Sequence, residues 1–203
     1  MSRRRLSIVA LVASVFAASA LAGCARSDRD RAGTQPPAMS EASAPIVVDP
    51  VLLAFLSKAR SAHHKADALE ATGDVPGAIA ALEELARGQR PGGERQFVEV
   101  NEVLSDTHAR IADLQSSRGQ FDAALEHVQA GLGLATDVTY FRGHLFEVRG
   151  LVEERRAKTL DERGETEKAK EARKAAIGSF DEAVRIQDQV ITNALGGGAV
   201  APH

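Results

Sequence analysis

The chain has one cysteine, no tryptophan and one tyrosine in 203 residues. With Cys24 alone, no disulfide can form within the chain, even in a compartment that permits them, so stability has to come from packing. A formal net charge of −3 lacks the basic excess expected of a nucleic-acid binder. No run of alternating β-branched residues reads as a strand; the nearest, Ile46-Val47-Val48, stops at Asp49-Pro50. Catalytic signatures are missing too: there is no HExxH, CxxC, P-loop or GxSxG. His63 and His64 are adjacent and so diverge by about 100° on a helix, and His108, His127 and His144 have no ligand-pair spacing. Glu153-Glu154 and Asp161-Glu162 lie in a charged segment where i,i+3 and i,i+4 ion pairs account for them. Neither catalysis nor a metal or other cofactor is expected.

The N-terminus is informative. Ser2-Arg3-Arg4-Arg5 is a positive start, and an apolar or small-residue run follows from Leu6 to Ala20. That run is short of the roughly 20 residues that span a bilayer, and it ends in small residues like a cleavage site. Leu21-Ala22-Gly23-Cys24 resembles the lipobox of bacterial lipoproteins. The resemblance implies a signal peptide over 1–23, diacylglycerol on the Cys24 thiol and cleavage just before that residue. Two or three acyl chains would make attachment stable, which one chain does not. Ala25 stands where an aspartate would resemble an inner-membrane retention signal, so the resemblance implies the outer membrane, facing the periplasm. Alternatives are an ordinary secretory signal cut after Ala20 or Ala22, an uncleaved anchor, and a twin-arginine export signal. Loss of 1–23 removes three arginines and no acid, which takes the formal charge from −3 to −6.

Residues 24–48 are rich in Ser, Pro, Gly and mixed charge without periodicity, and read as a flexible tether of roughly 25–30 Å root-mean-square span. Residues 49–195 read as one helical domain, and 196–203 as a disordered tail. The domain is rich in Ala, Leu, Glu and Arg, all good helix formers. Asp49-Pro50 looks like a cap followed by proline at the first helical position. Apolar stripes at helical spacing then recur, broken at Gly73, Gly119 and Gly164.

Self-similarity is the strongest signal. The three glycines are 46 and 45 residues apart, and an alanine follows each by five residues: Ala78, Ala124 and Ala169. Glycine lets the chain reverse between antiparallel helices, and a small alanine lets them approach closely. With Phe121-Asp122-Ala123-Ala124-Leu125 as the best local match, residues 55 to 190 resemble tetratricopeptide repeats. The period exceeds that family's usual 34 residues, and Thr166 stands where the second unit has Phe121. The fold expected is all-α, with antiparallel hairpins stacked as a short solenoid of about three units; a generic bundle of hairpins is the alternative.

The resemblance implies a groove for a protein partner, lined by the first helix of each unit. Its positions would be Arg60, His63, Asp67 and Glu70, then Asp106, Ala109 and Asp113, then Glu154, Lys158 and Asp161. Mostly negative, such a groove would suit a basic or polar peptide. The last helix, from Glu165 to Leu195, reads either as a cap on the stack or as a homo-oligomer surface through Phe180, Val184 and Ile191. Two functions follow: a membrane-anchored adaptor or scaffold for another cell-envelope protein, or a structural lipoprotein that self-associates without a groove.

Overall fold

Asp49 and Pro50 start the first helix. The Asp49 carboxylate accepts from the backbone N–H of Val51 at 2.8 Å and of Leu52 at 3.3 Å, while proline occupies a position whose N–H would have no helical partner. The structure, a computed structural model, describes residues 49–92 and 97–196. Six α-helices and no strands are present among them: α1 (Pro50–Ala71), α2 (Val75–Arg87), α3 (Val98–Ser117), α4 (Phe121–Leu134), α5 (Tyr140–Glu162) and α6 (Thr166–Gly196). The expected signal peptide over 1–23, Cys24, the expected tether over 24–48 and residues 197–203 lie outside the described residues. Gly196, expected to begin the tail, is the last residue of α6, which runs unbroken through Gly178-Ser179.

The three reversals are the same structure. Gly73, Gly119 and Gly164 have φ of 86°, 77° and 76°, which a side chain would strain. Each glycine N–H bonds the carbonyl three residues back, and the next N–H bonds the carbonyl five back, the six-to-one pattern of a glycine helix stop. The residue carrying that second N–H (Asp74, Gln120, Glu165) then gives its own carbonyl to Ala78, Ala124 or Ala169. One residue thus closes one helix and opens the next, and all three of those alanines are fully buried.

A second alanine series, Ala66, Ala112 and Ala157, stands seven residues before each glycine and is equally buried. Each hairpin therefore has a small side chain on both helices where they meet. Without such pairs, the ordinary helix separation of about 8–10 Å would be set by larger side chains.

The hairpins stack. Helix α3 lies on both α1 and α2, and α5 lies on both α3 and α4, so first helices stand side by side. Among the described residues, helix α6 packs only on α5. One apolar cluster joins Leu52, Phe55 and Leu85 to Val100 and Leu104; a second joins Ala78, Ile79 and Leu82 to Ile111 and Leu114. A third joins Ala124 and Val128 to Leu145, Val148 and Val152. Every cluster bridges one unit to the next, which is what a stack of hairpins requires of its core.

Helix α6 has 31 residues, against 13 in α2 and 14 in α4. Ala172, Ala176, Ala183 and Ile186 are buried, whereas Ile177, Val184, Ile191 and Leu195 are exposed, the first three at intervals of seven. Phe180, which the self-association reading put on that outer surface, packs against Gly150 of α5. A Cβ built on Gly150 would lie 2.5 Å from its ring, so glycine makes the seat for this side chain.

Candidate functional site

The first helices enclose a cleft of about 330 Å³. From α1 come His63 and Asp67; from α3, Asp106, Ala109, Arg110 and Asp113; from α5, His144, Val148 and Leu151. Ala109 and Val148 are buried and provide an apolar base. Five of the groove positions expected from the sequence, His63, Asp67, Asp106, Ala109 and Asp113, meet here.

The remaining expected positions are placed differently. Glu70 sits beside the cleft, held by Arg110. Glu154, Lys158 and Asp161 line a separate cavity of about 510 Å³ between α5 and α6, together with Arg155, Arg173, Ile177 and Phe180. Arg60 is exposed on α1 and lines neither cavity.

The expected negative sign of the surface is largely cancelled. Arg110 Nη2 bonds Asp67 at 3.1 Å and also Glu70, joining α3 to α1. Arg155 Nη1 bonds the Asp113 carboxylate at 2.7 Å and also the Ser116 hydroxyl, joining α5 to α3. Arg173 pairs with Asp161. These carboxylates link helices as well as facing solvent. Arg110 and Arg155 were not singled out from the sequence, although they repeat at the 45-residue interval of the turns. The Arg110 Nε–H is buried without an acceptor among the described residues.

Asp106 differs from the other cleft carboxylates, with no hydrogen bond or ion pair among the described residues. Its neighbour His63 contacts the buried Thr107 hydroxyl at 3.0 Å through Nε2. Thr107 already donates to the Val103 carbonyl at 2.8 Å, so its oxygen accepts and His63 Nε2 carries the proton. Burial lowers the His63 pKa, opposed by the charges of Asp106 and Asp67, so Nδ1 of the neutral ring is left as an acceptor. His144 Nδ1 lies 3.3 Å from Glu147; the carboxylate can only accept, so in the neutral ring Nε2 is again the acceptor.

A second polar group lies between units, away from the cleft. His108 Nδ1 on α3 is 2.9 Å from His127 Nδ1 on α4, so one ring donates to the bare nitrogen of the other. His127 Nε2 is 4.0 Å from Glu83 on α2. Burial, with His127 and Arg90 adding to it, takes the His108 pKa down to about 4, and burial also lowers that of His127. No spacing in the sequence reveals this pair, because the residues come from different helices.

Among the described residues, no group of three or more His, Cys, Asp or Glu side chains is arranged to hold a metal ion. No helix among them is long and apolar enough to cross a membrane. No family model, no curated protein and no solved structure matches this chain.

Proposed function

We propose that this chain is a lipid-anchored lipoprotein of the bacterial cell envelope whose helical stack acts as a protein-binding adaptor. The observation that carries the binding part is the cleft shared by α1, α3 and α5, in which one surface draws side chains from all three units. A cleft lined by charged and apolar groups on rigid helices is where a partner segment would gain orientation as well as burial. The anchoring part rests on the lipobox resemblance around Cys24. In this reading the lipid holds the protein at the membrane, outer by the residue after Cys24, and the stack captures a protein partner.

Three measurements test it. Mass spectrometry of the purified N-terminal peptide is expected to find acylated Cys24, and Cys24→Ser is expected to release a folded protein from the membrane fraction. Purification from mild-detergent extracts is expected to bring down one stoichiometric partner. Recovery of the chain alone would remove the adaptor reading.

A second reading, self-association, is favoured by α6. Ile177, Val184 and Ile191 form an exposed stripe spaced by seven, the arrangement that lets a helix pair with another helix. A second copy of α6 offers the same stripe, as a two-fold contact requires. Sedimentation equilibrium with Val184→Glu tests this: a dimer that becomes a monomer supports it, and a wild-type monomer at high concentration removes it.

A further inference from the structure

The cleft is uneven in its hydrogen-bonding chemistry, and this unevenness says what it would hold. Asp67 and Asp113 are already engaged by Arg110 and Arg155. Asp106 is not. Around it the open groups accept: the Asp106 carboxylate itself and Nδ1 of His63, with the His144 ring on the opposite wall. Beneath them lie the apolar Ala109, Val148 and Leu151.

A ligand complementary to such a site needs several donors, positive charge and an aliphatic stem. An arginine side chain meets all three needs, with five N–H donors and three methylenes; lysine meets them with three donors and a longer stem. A glutamate would face the Asp106 carboxylate, while the cation in the lining, Arg110, is already held by Asp67 and Glu70. Apolar side chains would bury Asp106 without a partner, which costs more than the contact returns.

We infer that the cleft between α1, α3 and α5 is a subsite for a single basic side chain, arginine or lysine, projecting from the partner polypeptide, with Asp106 as its counter-ion and Val148 and Leu151 against its stem. The inference rests on the adaptor reading for the source of that side chain. About 330 Å³ accommodates a basic side chain and the backbone that carries it, not a folded element. The other acidic groups on this face hold the helices in place, so Asp106 alone is available to recognise the ligand.

The test uses the full-length protein in detergent micelles, with labelled histidines observed by NMR. The probes are N-acetyl N-methylamides of arginine, lysine, citrulline and glutamate; citrulline keeps the shape of arginine without its charge. The arginine or lysine probe is expected to shift the His63 and His144 ring signals saturably, and about tenfold more tightly than citrulline, the worth of one charge-assisted hydrogen bond. Asp106→Asn is expected to abolish that advantage, and Asp181→Asn on the outside of α6 to leave it intact. Leu151→Lys, which brings a rival ammonium into the cleft, is the second variant and is expected to block both cationic probes. Equal binding of citrulline and arginine, or an unchanged response in Asp106→Asn, would overturn the inference. Co-purification separates it from the adaptor reading. A partner retained equally by Asp106→Asn overturns the subsite and leaves the adaptor standing, whereas probe binding in a protein without partners does the reverse.

Discussion

At Gly119 and at Gly164 the chain reverses through the same pair of backbone hydrogen bonds, yet thirteen residues further on the two hairpins differ. Leu132 on α4 packs against the cluster that includes Leu145, Val148 and Val152 of the next unit. Ile177, at the same place on α6, is 61 % exposed. Ala86 on α2 behaves like Leu132, packed against a cluster that includes Ile111 and Leu114 of α3. The turn is a local property, set by a glycine and a small residue; burial of the outer helix face is a property of position in the stack. The third hairpin has the local structure of a repeat without, among the described residues, a neighbour that would cover it.

The comparison can be broken most severely in the core. Leu82→Ala empties a fully buried position between α2 and α3 and is expected to cost about 2–5 kcal/mol by denaturant unfolding. Ile177→Ala, a truncation of similar size on the open face, is expected to stay within about 0.5 kcal/mol. Similar losses at the two sites would mean that α6 is covered as α2 is.

The turns come next. Gly119→Ala and Gly164→Ala are each expected to cost about 1–2 kcal/mol, because both force a side chain into the left-handed region. A clear inequality would show that the third turn, whose flanking sequence is the least repeat-like, is held by other forces.

Acid acts on the interior units through His108. Its folded-state pKa of about 4 lies below the unfolded value near 6.5, so the unfolded chain binds the extra proton across that window. Stability is therefore expected to fall as pH drops from about 6.5 to about 4 and to level off below, as far as this group is concerned. Thermal melts across this range, compared with His108→Gln, should isolate the contribution; an unchanged slope in the variant would reject it.

A small effect is also expected at the inner ion pairs. Arg155→Met leaves Asp113 accessible to water and should cost no more than about 1 kcal/mol, since both partners are more than a third exposed. Its consequence should be seen instead as faster hydrogen exchange where α5 meets α3.

Much of this fold was legible in the sequence because its signals are local. Gly73, Gly119 and Gly164 and the alanines after them mark the reversals, and cap residues such as Asp49 and Asp74 act within three residues. The groove was legible in part, because residues on one helix face keep helical spacing and the repeat interval carries that face from unit to unit. What was missed depends on contacts between helices. Nothing local says that Arg110 reaches Asp67 across 43 residues, or that Phe180 fits over Gly150. Of the two readings of the last helix, the one that put Phe180 on an outer surface had no local signal to place it otherwise: an apolar residue beside a stripe goes wherever the neighbouring helix leaves room, and the glycine that leaves room is 30 residues away.

The arginines of the inner face always reach backwards, from α3 to α1 and from α5 to α3, which gives the stack a direction. A further unit added after the third would bring its own arginine to the place corresponding to Asp67 and Asp113. By the same 46- and 45-residue intervals that place is Lys158, and the acid one turn beyond it, Asp161, is already held by Arg173 of the same hairpin. An incoming arginine would meet a like charge and an acceptor already in use. The charge pattern that links one unit to the next is therefore reversed at the third unit, where a lysine stands at the place of Asp67 and Asp113.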